Sequence, residues 1–176
     1  MTLSIDIRDL LGYTTWQREV WRTWFAQKGP APLTVTTGDH GDGRFTTVGG
    51  VIRHIFSSEL RYAERIAGVP LTDTTVVATD DPNALFLLAT LGRASFKGIL
   101  ETLPATEWTK PFEFPLLNST VRSTPRKVVL HVLTHEIRHW AQVATLLRLQ
   151  GWVGERQDLI FSPVFGEPVQ LQEGKL

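Results

Sequence analysis

Two histidines four residues apart, His135 and His139, stand in a stretch that otherwise reads as apolar helix. At about 100° per residue His139 falls about 40° from His135, with Val132 at about 60° and Val143 at about 80°. Thr134, Arg138, Ala141, Thr145 and Arg148 take the other side. Imidazoles four apart project from one face, so both can reach one divalent ion at about 2.0–2.1 Å. The competing reading is a pair of core histidines satisfied by hydrogen bonds, since buried polar rings need partners in any case. A third imidazole, His54, sits on the shoulder of another apolar stripe, near Gly49 and Gly50, whose missing side chains let a second backbone or a ligand come close. Three imidazoles from two helices leave coordination positions open, the usual composition of a catalytic metal site. Spacing along one helix does not bring His54 to the pair. The chain has no cysteine, which excludes disulfides, thiolate zinc sites, iron–sulfur clusters and a cysteine nucleophile, so His, Asp or Glu must hold any metal.

Glu136 and Glu59 are the carboxylate candidates for catalysis beside such a site. Residues 135–139 read His-Glu-Ile-Arg-His, which satisfies the zincin motif in which the Glu is general base on zinc-bound water. That match is short, and no His follows His139; only Glu155, Asp158, Glu167 and Glu173 lie downstream as a third ligand. A zinc peptidase is therefore the lesser reading, with Glu136 kept as an acid–base candidate. Glu59 falls about 140° from His54, inside the apolar arc, where a carboxylate needs a partner. It orients an imidazole, pairs with an arginine, or reaches solvent from the flank. His131 extends the series one turn back, as a further ligand or as a hydrogen bonder behind the others. His40 and Asp42, in a glycine-rich polar loop, read as ordinary loop residues.

The segments Val48-Gly-Gly-Val-Ile-Arg-His54-Ile-Phe-Ser-Ser-Glu59 and His131-Val-Leu-Thr-His135-Glu-Ile-Arg-His139-Trp-Ala-Gln142-Val, ending in Leu-Leu-Arg-Leu-Gln-Gly151, resemble the DinB/YfiT-like family over nearly the whole chain. The resemblance implies a four-helix bundle with crossed connectivity, often dimeric. It implies a divalent metal held by one His of the second helix and a His-x-x-x-His pair of the last, which by position are His54, His135 and His139. Trp140-Ala141 stands where many members have Arg-Gly before the Gln, which leaves these ligands intact and changes the groups beside them. Characterised relatives are similar to thiol-dependent S-transferases and isomerases that use bacillithiol, mycothiol or glutathione.

Four segments carry the helical period needed to position these groups. The first, about 5–28, places Ile7, Leu10, Trp21, Trp24 and Phe25 on one face and stops at Gly29-Pro30. The second, about 47–67, is capped by Thr46 or Thr47, carries Val48, Val51, Ile55, Tyr62 and Ile66, and ends at Gly68. Asp81-Pro82 and Thr124-Pro125 are cap-then-proline starts for a third helix, through Leu85, Leu88, Phe96, Ile99 and Leu103, and a fourth reaching Gln150. This reads as an all-α, single-domain four-helix bundle over 1–176. The connections after the first and third helices are each about 20 residues, longer than the turns of an up-down-up-down bundle, so at least one crossover is expected. Trp108 to Val121 admits a short irregular hairpin in which Pro111 and Pro115 restrict pairing to an edge. Residues 29–47, 71–80 and 104–123 are expected to shape the pocket. The tail, with Trp152, Leu159, Ile160, Phe161 and Phe165, is too apolar to be free and is expected to pack on the bundle or on a partner subunit.

In a chain of 176 residues, 18 Lys plus Arg balance 18 Asp plus Glu with no basic run, which gives a nucleic acid or an anionic membrane surface nothing to recognise. Asp6 and Asp9 stand where a signal peptide is basic or apolar, and no stretch approaches the roughly 20 apolar residues of a membrane span. A cytoplasmic protein is expected. The leading expectation is a metal-dependent enzyme acting on a small molecule, of thiol S-transferase or hydrolase type. The metal is zinc, nickel, iron, manganese or copper, because availability decides as much as affinity. With no cysteine, a nucleophilic thiol has to be a low-molecular-weight cosubstrate. The alternative is a non-catalytic metal-binding dimeric module, with Glu59 or Glu136 closing the coordination. A homodimer is expected from the aromatic first helix, where Trp16, Trp21 and Trp24 suit core and interface packing.

Overall fold

The computed structural model describes residues 6–40, 43–164 and 166. Helix α1, Ile7–Lys28, starts at a reciprocal cap: the Asp6 carboxylate accepts the Arg8 N–H at 2.9 Å, and the Asp9 carboxylate accepts the Asp6 N–H at 2.9 Å. It ends at Gly29, whose φ of 72° no β-carbon favours. Helix α2, Val48–Ala67, is capped by the Thr47 hydroxyl and closed by Gly68 in the left-handed region. Helices α3, Pro82–Thr102, and α4, Pro125–Leu149, both begin with proline at the first turn behind Asp81 and Thr124 caps. Between them, β1, Phe112–Leu116, pairs antiparallel with β2, Ser119–Ser123, with Phe114 opposite Val121 and Pro115 opposite Thr120. Among the described residues no helix is long and apolar enough to cross a membrane.

The core has two apolar layers. One end holds Leu11, Tyr62, Ala63, Phe96, Val132 and Leu133. The other holds Trp21, Phe25, Val51, Ile55, Leu85, Phe86, Trp140, Val143 and Leu147. Residue numbers rise from the first layer to the second in α1 and α4 and fall in α2 and α3, so the order is up, down, down, up. Helix α2 packs on α3 and α4, and α1 packs on the same two, which leaves α1 diagonal to α2 and α3 diagonal to α4. Gly92 lets α2 and α3 close on each other: a β-carbon there would stand 3.2 Å from the Phe56 carbonyl oxygen and 3.3 Å from Glu59 Oε2.

The two long connections therefore each bridge a diagonal at one end. The connection that returns along the bundle is the shorter one, 68–81, which the count of loop residues did not single out. Laid nearly straight it reaches about 45 Å, enough to run back beside a helix of about 30 Å. Its path is pinned to α2. The Glu64 carboxylate accepts the N–H and hydroxyl of Thr72, Arg53 donates to the carbonyls of Thr75 and Val77 at 3.0 Å, and Gly49 abuts the Thr79 carbonyl. A β-carbon on Gly49 would lie 1.8 Å from that oxygen.

The tail packs on α1. Trp24 Nε1 donates to the Val153 carbonyl at 3.0 Å, the Tyr13 hydroxyl to the Gln157 carbonyl at 2.6 Å, and Trp152 meets Trp24 edge to face. Phe165 lies outside the described residues. Trp21 and Trp24 are core, 1% and 3% exposed, so the aromatic surface expected to serve a subunit interface is largely enclosed within the chain. Trp16 is half-buried and stacks on Tyr13.

Candidate metal centre

His54 enters from α2 and His135 and His139 from the facing stripe of α4. Each of the three offers a ring nitrogen, and all three nitrogens lie within 4.8 Å of one another. His54 Nε2 is 3.0 Å from His135 Nε2. Two nitrogens bound at 2.0–2.1 Å to a tetrahedral ion stand about 3.3 Å apart, so this donor set fits one small divalent cation. Neighbouring groups hold the rings. Gln142 Oε1 lies 2.8 Å from His139 Nδ1, which fixes that nitrogen as the N–H donor and leaves Nε2 with its lone pair. Ser58 Oγ lies 3.4 Å from His54 Nδ1, and the Phe45 ring stacks on the His54 ring at 4.5 Å. The spacing of Gln142 and Ser58, three and four residues beyond a histidine, puts them one turn away on the same helices. Burial, then the nearby His139 and His54, pushes the His135 imidazole from 6.5 down to about 2, so it stays neutral and able to ligate.

His139 is 4% exposed, while His54 and His135 line a cleft of about 400 Å³ open to solvent. The cleft's apolar walls come from Phe45 before α2, Tyr62 on α2, and Leu116 and Leu117 at the hairpin tip. Two of the three connections expected to shape the pocket do so. Residues 71–80 do not, because they belong to the strap along α2. His131 is exposed and lines the cleft; its ring is 5.5 Å from that of His135, and it stands outside the three-histidine group. The His40 side chain and Asp42 lie outside the described residues.

Glu59 and Glu136 do not join the histidines. They meet Arg18 of α1 and Arg93 of α3 in a buried four-charge cluster between the two apolar layers. Glu59 lies 2.7 Å from Arg18 Nη1 and 3.0 Å from Arg93 Nε. Glu136 lies 2.5 Å from Arg18 Nε and 3.0 Å from Arg93 Nη2, and also accepts Trp140 Nε1–H at 3.1 Å. Arg93 reaches further, to the Leu11 carbonyl and the hydroxyls of Thr14 and Thr15. Burial raises the Glu59 carboxyl against the pull of Arg18 and Arg93. Burial would lower Arg18, yet Glu136 and Glu59 hold it above its ordinary value. Of the partners open to Glu59, arginine is the one taken. Trp140, at the position where the resemblance departs, serves this cluster and stacks on Trp21 at 5.2 Å. Sequence reasoning missed Arg18 and Arg93. The signal was present: Arg18 follows Leu11 by seven and Thr14 by four, and Arg93 follows Leu85 by eight, so each guanidinium sits on its helix's buried stripe.

A family model described as the DinB family matches residues 1–163, and the chain belongs to that family. Comparison with curated proteins finds no match.

Proposed function

From a three-histidine group in a DinB-family bundle, we propose a metal-dependent enzyme that acts on a small molecule, with thiol S-transfer as the concrete reaction and metal-assisted hydrolysis as the second form. The observation that carries this reading is the convergence of three imidazole nitrogens within 4.8 Å at the wall of an open cleft. His54, His135 and His139 would hold the cation, leaving positions for ligands from solution. A divalent cation there supplies a thiol or water with a lowered pKa, so that a nucleophile is available near neutral pH. Gln142 and Ser58 orient the imidazoles, and Phe45 and Tyr62 give the cleft apolar surface. The chain has no thiol of its own, so the nucleophile enters as a cosubstrate; a cytoplasmic setting, where small thiols stay reduced, suits that role.

The rival readings ask Glu59 or Glu136 to act at the metal, as a fourth ligand or as a zincin base. Both carboxylates face arginines and neither lines the cleft, which favours the open-site reading. The test is elemental analysis of tag-free protein, wild type against His54→Ala and His135→Ala, followed by a thiol-conjugation screen on the loaded protein. Near-stoichiometric metal in the wild type, lost in both variants together with conjugation, supports the proposal. Full metal and full activity in His54→Ala overturns it.

A further inference from the structure

We propose that the cleft beside the histidines is an anion site, and that the small molecule acted on carries a carboxylate or phosphate. The proposal rests on the function above and names its substrate class. The chain is neutral overall, yet this cleft is lined by Arg44, Arg61, Arg65 and Arg138, and among the described residues no Asp or Glu lines it. Arg61 and Arg65 follow His54 by seven and eleven residues, which carries the His54 stripe of α2 outward. Arg138 comes from the facing helix, three residues after His135.

Elsewhere in the bundle Arg18 and Arg93 have carboxylate partners in Glu59 and Glu136, and Arg22 has one in Glu19. In the cleft the balance differs. The Nε atoms of Arg61 and Arg65 are buried with no hydrogen-bond partner among the described residues. Like charges four apart on a helix repel, and Arg65 is held below its ordinary value first by burial and then by Arg61. Its guanidinium packs over Tyr62 and Phe114 at 5.2 and 5.5 Å, with one longer bond, 3.4 Å, to the Pro115 carbonyl. Arg138 approaches His139 Nε2 at 3.4 Å. An anion would give the Nε atoms of Arg61 and Arg65 an acceptor, and guanidinium matches carboxylate and phosphate in planar, paired hydrogen bonds. Phe45, Tyr62, Leu116 and Leu117 offer apolar surface to the rest of the molecule. Its anionic end would lie on the arginines and its reacting end at the histidines.

The test is calorimetric titration of the full chain, freed of metal with a chelator, using inorganic phosphate, malonate and, as the neutral control, malonamide. The variants are Arg61→Gln/Arg65→Gln, Arg138→Gln and, as a control away from the cleft, Arg22→Gln. The expected result is saturable binding of phosphate or malonate, about tenfold or more weaker in each cleft-arginine variant and in about 0.5 M salt, intact in Arg22→Gln and absent for malonamide. Whichever anion binds tighter identifies the headgroup. No saturable binding by the wild type, or wild-type affinity in both the exposed Arg138→Gln variant and the double variant, overturns the proposal. Anion binding without metal loading would sink the metal reading alone, and His-dependent metal without anion binding would sink this one alone.

Discussion

At the level of single residues, the centre depends on the three imidazoles and on the groups that aim them. His135→Ala is expected to abolish stoichiometric metal, whereas Gln142→Leu, which frees the His139 ring, should weaken metal affinity by about 10–100-fold and leave stoichiometry recoverable at high metal. Equilibrium dialysis separates the two. Protonation gives an independent check on the metal-free chain. Above 6.5 the His135 imidazole is neutral whether the chain is folded or unfolded, so it adds no pH dependence. From 6.5 down to about 2 the unfolded chain takes up a proton that the folded one refuses, so stability falls as pH falls through that window. Thermal melts between pH 7 and 5 should therefore drop more steeply for the wild type than for His135→Gln; parallel curves would contradict the burial assigned to this ring. The histidine pair was legible because one helical face is a local property, and the partners of Arg18 and Arg93 were not, because a charge on a buried stripe announces a need for a partner without naming it.

The elements meet their constraints at particular backbone contacts, and the clearest is where the strap crosses α2. Gly49→Ala drives a β-carbon against the Thr79 carbonyl oxygen, so strap or helix must shift, at a cost of about 1–3 kcal/mol. Gly50→Ala meets only ordinary contacts at 3.5 Å with Phe45 and Thr47 and is the control. Denaturant melts should show a lower midpoint for the first and a change of less than about 0.5 kcal/mol for the second. Equal effects would mean that the strap is not seated on Gly49. The glycine pair signalled a close approach in advance; that the visitor is the chain's own crossover, and no ligand, depended on the direction in which α3 runs.

Across the whole molecule, four helices converge on two carboxylates and two guanidiniums, so removing one member leaves a buried charge uncompensated. Arg18→Met should cost about 3–5 kcal/mol. Arg22→Ala, which deletes an exposed pair with Glu19 on the same helix, should cost less than about 1 kcal/mol. Glu136→Gln should lower the melting temperature and keep the metal, because that carboxylate faces Arg18 and Arg93 while its sequence neighbour His135 faces the cleft. Loss of metal in Glu136→Gln would return that residue to the coordination sphere.

Helix ends, buried stripes, the paired histidines of α4 and the absence of any protein thiol all follow from the order of residues, because capping and periodicity act within a turn or two of chain. Tertiary structure alone decided that His54 meets His135 and His139, that Glu59 and Glu136 meet Arg18 and Arg93, and that the shortest of the three interhelical connections makes the crossover. Each of these joins residues far apart in the chain. Which faces touch is set by the up, down, down, up packing of all four helices together, a condition that no single segment carries.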